Sequence, residues 1–168
     1  MAIVLTARIA VVLGLVFAQA SVDLNDVPKT LAFVKSLSGP LEKAIARKNQ
    51  AAIDLDREEL SKTIEKAFKG QTVTWKIQVL DIRDDAILFK RLPEYAPKTG
   101  PRLIPGFGGW KGSKTARGGD RAIPIIDRKW AASVDVGQII AIKGVVRFAS
   151  VNAALDVSVF LDDCEITK

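Results

Sequence analysis

Histidine is absent from the 168 residues, and cysteine, methionine and tyrosine occur once each. Without histidine the commonest general base and the commonest metal ligand are missing. Serine–histidine and cysteine–histidine nucleophile systems are therefore excluded, as are the usual histidine-bearing zinc sites. The lone cysteine, Cys164, allows no internal disulfide, so stability has to come from a packed core. It stands among strand-like residues, and a buried apolar thiol is expected there. Long hydrophobic runs are also lacking. The uncharged run Ile9–Ala18 is too short to span a bilayer, which takes about 20 apolar residues.

That run has another reading. Arg8 precedes it, and Ala18-Gln19-Ala20 follows with small residues on either side of a polar one. This order is the secretory signal pattern, with cleavage expected after Ala20. An exported protein, periplasmic or secreted, with no stable membrane insertion after cleavage, is the expectation; a retained membrane anchor and a buried helix of a cytosolic protein are the alternatives. With 48% hydrophobic residues the remaining chain can bury a real core,.

Residues 21–70 read as helical. Asn25 or Asp26 can cap a helix that opens at Val27-Pro28, and Leu31, Val34 and Leu37 repeat at helical spacing. Ser38-Gly39-Pro40 ends this helix and starts the next. Asp56 with Glu59 three residues later reads as a capping box for a third helix, flanked by Leu55 and Leu60. Gly70 closes it.

After Gly70 the apolar period falls to two. Val73, Trp75, Ile77 and Val79 alternate with polar residues, then Leu80 and Ile82 continue in the other phase, which predicts a bulge. Asp84-Asp85 turns the chain into Ala86-Ile87-Leu88-Phe89. A third strand, Ala122–Ile126, carries Pro124 and so belongs on an edge. Asp127 caps a short helical turn. Val136–Phe148 is a long strand with Gly144 inside it, and a last strand runs from Val157 past Cys164.

Between the second and third strands, residues 90–121 carry four prolines and seven glycines and read as a long loop without helix or strand,. Eight cations, Lys90, Arg91, Lys98, Arg102, Lys111, Lys114, Arg117 and Arg121, stand against Glu94 and Asp120. This surplus of six equals the net charge of the whole chain, +6. Removing Arg8 with the signal leaves +5, so the rest of the mature chain is close to neutral. Lysine and arginine offer phosphate contacts and aromatics offer stacking surfaces. The candidate ligand-binding residues are therefore Arg102, Phe107, Trp110, Lys111, Lys114 and Arg117.

The strand order strand, strand, loop, strand, short helix, strand, strand resembles the oligonucleotide/oligosaccharide-binding (OB) fold. Within that fold it is similar to the group typified by the anticodon-binding module of aminoacyl-tRNA synthetases. The resemblance rests on Val136–Val146 (VGQIIAIKGVV) and Val157–Ile166 (VSVFLDDCEI), and covers about residues 71–168. It implies a five-stranded OB-like β-barrel and leaves the helices unexplained; with the two or three N-terminal helices read ahead of it, the chain is expected to be α+β. A short antiparallel sheet with the helices on one side is the competing architecture.

Chemistry of other kinds finds little support. Asp81, Asp84 and Asp85, and Asp162, Asp163 and Glu165, could hold a divalent ion, but aspartates at turns have an ordinary structural role. Gly106–Gly112 matches no phosphate-loop spacing. A non-enzymatic module without metal or cofactor is expected. It would bind a polyanion, nucleic acid or acidic polysaccharide, through the basic loop; the alternative is a cell-envelope protein–protein or structural module. Oligomeric state is left open by the sequence.

Overall fold

The computed structural model describes residues 22–167 apart from Gly112 and Asp120. The expected signal segment lies outside these residues. Three helices come first: α1 (Val27–Leu37), α2 (Gly39–Ala46) and α3 (Gln50–Phe68). Asp26 caps α1 by accepting from Lys29 N at 3.1 Å, with a proline in the first turn. The expected capping box at Asp56 is corrected. The third helix begins earlier, where Asn49 accepts from Ala52 N at 3.2 Å, and Asp56 and Glu59 are interior residues of α3. No proline or glycine interrupts residues 50–56, so the helix extends back to the first good cap. Only its second half is amphipathic in fact. Leu60, Ile64 and Phe68 are buried, while Leu55 is 65% exposed.

The strands are β1 (Thr72–Ile82), β2 (Ala86–Arg91), β3 (Arg102–Phe107), β4 (Gly109–Trp110), β5 (Ser113–Arg117), β6 (Ala122–Pro124), β7 (Ile139–Val151) and β8 (Asp156–Thr167). A short helix, α4 (Arg128–Ala131), is capped by Asp127 as expected. The sheet runs β5-β4-β8-β7-β1-β2-β6, with β3 lying parallel to β8. The two flanks nearly meet. Phe107 N donates to Gly119 O at 3.1 Å and Phe89 N to Arg121 O at 3.0 Å, so Gly119 and Arg121 link β3 and β2. The result is a mixed α+β chain with helices ahead of a nearly closed barrel. The wall has more strands than the expected five because residues 90–121 are not a bare loop. They contribute β3, β4, β5 and a 3₁₀ turn at Pro93–Tyr95, which corrects the expectation of no helix or strand there. Pairing to β8 supplies the ladder that composition alone argues against.

The corners fall where apolar phase slips. β1 shifts register between Val79 and Asp81, the bulge expected at Leu80. β7 shifts between Lys143 and Val145 and again between Val146 and Phe148. Gly144 sits at the first slip. A Cβ there would stand 3.0 Å from Leu161 Cβ and 3.1 Å from Asp162 O, so β8 passes close enough that a side chain would have to push it aside by a few tenths of an ångström,. Pro124 lies in β6 at the end of the sheet order, as expected of an edge.

The helices join the same core as the barrel. Leu31, Val34, Leu60 and Phe68 belong to one buried cluster with Val73, Trp75, Ile142 and Leu161. The first half of β1 has no β2 partner, since that pairing starts at Ile77. Side chains take the ladder's place. Thr74 N donates to Asn25 Oδ1 at 2.7 Å, Lys76 N to Tyr95 Oη at 3.1 Å, and Trp75 Nε1 to Leu24 O at 2.9 Å. Burial pushes the Tyr95 phenol pKa upward, so it stays a neutral partner,. Ser61 fastens α3 to β7, its Oγ accepting from Val151 N at 3.0 Å.

Candidate nucleic-acid interface

Among the described residues, those singled out from the sequence do not form one surface. Phe107 is fully buried and packs edge-on to Phe89 at 5.3 Å. Trp110 is 5% exposed and lies 6.2 Å from Phe107. Both rings belong to the core, so their expected role as open stacking surfaces is corrected; period-two burial along β3 and β4 turns them inward. Arg102 forms a two-pronged pair with Asp156, at 2.6 and 2.7 Å. Lys111 is held by Glu165 at 2.9 Å. The side chains of Lys114 and Arg117 lie outside the described residues.

Another surface takes shape on the outer side of β3, β8 and β7. Along β8, Val157, Val159 and Leu161 point into the core, so Ser158, Phe160 and Asp162 point out. Register places Gly106 beside Phe160 on one flank and Phe148 beside it on the other. Phe148 is 42% exposed and Phe160 37%, with ring centroids 6.4 Å apart and planes tilted by 39°. Burying a phenylalanine contributes about 1.5–3 kcal/mol, and both rings forgo part of it. Gly106 is what lets Phe160 lie flat across β3: a Cβ at residue 106 would stand 2.6 Å from the ring.

Cations stand at both ends of these rings. Arg147, pushed outward by the β7 bulge, donates to Asp162 Oδ2 at 3.2 Å and keeps 68% of its side chain exposed. Such a surface pair is worth about 1 kcal/mol or less, so the guanidinium can exchange partners. Asp162 Oδ1 also accepts from Gly109 N at 3.1 Å, so this carboxylate is held close to the glycine pair. At the other end Arg102 is half exposed above the nearly buried Asp156. Arg102's hydrogen bonds hold the Asp156 carboxyl below the usual carboxylate range against its partial burial, with Asn152 assisting,. Asp156 to Asp162 is six residues of strand, so the two arginine pairs stand roughly 20 Å apart. Between them lie the two rings and the facing serines Ser150 and Ser158.

Phe148 and Phe160 were legible in principle. Each falls in the outward phase of an alternating strand, where an aromatic has no core to fill. The Arg147-Phe148 bulge hides that phase on β7, because both residues turn outward. Among the described residues no group of three or more aspartates, glutamates and cysteines is placed to hold a metal ion. No described helix is long and apolar enough to cross a membrane.

Comparison with protein-family models gives no match to this chain, and neither does comparison with curated proteins. Among solved structures, it is similar to a "putative nucleic acid-binding lipoprotein" from Klebsiella pneumoniae, with 10% sequence identity. The match covers 79% of this chain and 86% of that one, at a TM-score of 0.34. Likeness at that level carries no argument, and the nearly closed barrel stands on its own strand pairing.

Proposed function

We propose that this protein is a non-enzymatic binding module that holds single-stranded nucleic acid across the outer face of β3, β8 and β7. The observation that carries the reading is the adjacent, half-exposed pair Phe148 and Phe160 on a barrel wall. Flat bases stack on such rings whatever their sequence. Arg102 and Arg147, at either end of the rings, are the cations for the flanking phosphates. The polyanion expected from the net charge of +6 is kept, and its contact surface shrinks from the whole 90–121 segment to β3 with Arg102, joined there by the β7–β8 hairpin. Export is part of the proposal. The signal pattern before Ser21 supports it, and an exported chain that still begins at Met1 would count against it.

The test is fluorescence anisotropy with a labelled oligothymidine. Affinity falls steeply with salt, because neutralised phosphates release counterions. Phe148→Ala and Phe160→Ala each weaken binding about 5- to 150-fold, from about 1–3 kcal/mol per stacked base. Salt-independent binding, or binding indifferent to both substitutions, overturns the reading. A protein partner seated on the same rings would show in pull-downs that salt does not disturb.

A further inference from the structure

We propose that the seam of the barrel, between β4 and β8 on one side and β6 and α4 on the other, binds a small, neutral apolar molecule no larger than about two rings. β4 meets β8 through the single pair Trp110–Cys164, and β6 pairs only with β2. Across the seam, side chains replace backbone ladder. They leave a cavity of about 240 Å³ lined by Trp110, Pro124, Ile126, Trp130, Cys164 and Ile166.

Size, polarity and charge narrow the occupant. A cavity of about 150 Å³ takes one benzene, so this one has room for a second ring. Its rim charges are engaged. Lys111 is held by Glu165 at 2.9 Å, and Asp127 caps α4 by accepting from Lys129 N at 2.8 Å and Trp130 N at 3.3 Å. An anion entering here would have to displace Glu165 from Lys111, and Asp127 adds negative charge at the rim. Burial pushes the Cys164 thiol up to about 12, so it stays protonated and the binding is non-covalent,. Trp110 Nε1 has no hydrogen-bond partner among the described residues, whereas the Trp75 indole is pinned to Leu24 O. None of these residues belongs to the Phe148–Phe160 face, so this site stands or falls separately.

The experiment titrates indole into the ¹⁵N-labelled protein and follows the three tryptophan Nε1–H resonances. The expected result is saturable shifts at Trp110 and Trp130, with Trp75 unmoved as an internal reference. Ile126→Glu, at a 42% exposed mouth position, lowers indole affinity at least about tenfold by placing a charge beside an apolar ligand. Cys164→Leu fills the floor and also weakens binding. If that variant does not fold, Ile126→Glu decides alone. No saturable shift up to the solubility limit of indole, an equal shift at Trp75, or wild-type affinity in Ile126→Glu overturns the proposal. So does a saturable shift at Trp130 caused by inorganic phosphate.

Discussion

Residues 90–121 hold four prolines, seven glycines and eight cations, whereas the β7–β8 hairpin is rich in valine, isoleucine and alanine with one glycine. Composition makes the first a surface loop and the second plain framework. The barrel uses them the other way round. The first segment turns Phe107 and Trp110 into the core and pairs Lys111 with the protein's own Glu165. The second turns Phe148 and Phe160 out to solvent. Composition governs how a chain can bend; strand phase governs where its side chains go.

The sharpest break in that comparison comes from Gly118. A Cβ there would stand 2.4 Å from Phe107 O and 2.9 Å from Ala122 O, both backbone atoms where β3 approaches β6. Gly118→Val should cost about 3 kcal/mol or more in urea unfolding, since packed backbone has to move. Gly119→Ala, with open space around it, should change little. Equal effects would mean that residues 90–121 are no part of the wall.

Next in size is Asp156→Ala. It removes the carboxylate tying β3 to β8 and should cost about 1–3 kcal/mol. Because Asp156's folded pKa is depressed, its contribution is present above the unfolded carboxylate value. It is lost as pH falls through the folded pKa,. Asp156→Asn should therefore flatten the acid side of a plot of melting temperature against pH. An unchanged acid limb would remove the latch from the account.

A smaller effect separates fold from binding. Gly106→Ala forces the Phe160 ring off β3, yet that ring is a partly exposed side chain with room to tilt. Stability should fall by less than about 1 kcal/mol, while oligonucleotide affinity drops as far as in Phe160→Ala. The least effect is expected at Cys164. Its buried thiol should resist alkylation at neutral pH and react only on unfolding; rapid labelling of the native protein would place it outside the core.

Much of the framework was readable in the sequence because each signal had a local cause. Asp26 and Asp127 cap their helices, the phase slip at Leu80 marks a bulge, Pro124 lies at the end of the sheet, and Gly144 marks a close approach. What was not readable depends on distant partners. β3 exists because β8 lies alongside it, more than fifty residues later, and nothing within Arg102–Phe107 announces that pairing. The same distance concealed that Asp156 and Glu165 would engage Arg102 and Lys111. The site was harder to read than the fold, since charge counts record which residues are present, not which are already partnered.

The most direct test sets the two regions against each other in one assay, oligothymidine anisotropy at low salt. Phe148→Ala with Phe160→Ala is compared with Lys98→Ser with Lys111→Ser, each pair in an otherwise unchanged chain. The account predicts that the phenylalanine pair loses most of the binding while the lysine pair stays within a few fold of wild type. Binding abolished by the lysine pair and untouched by the phenylalanine pair would contradict it.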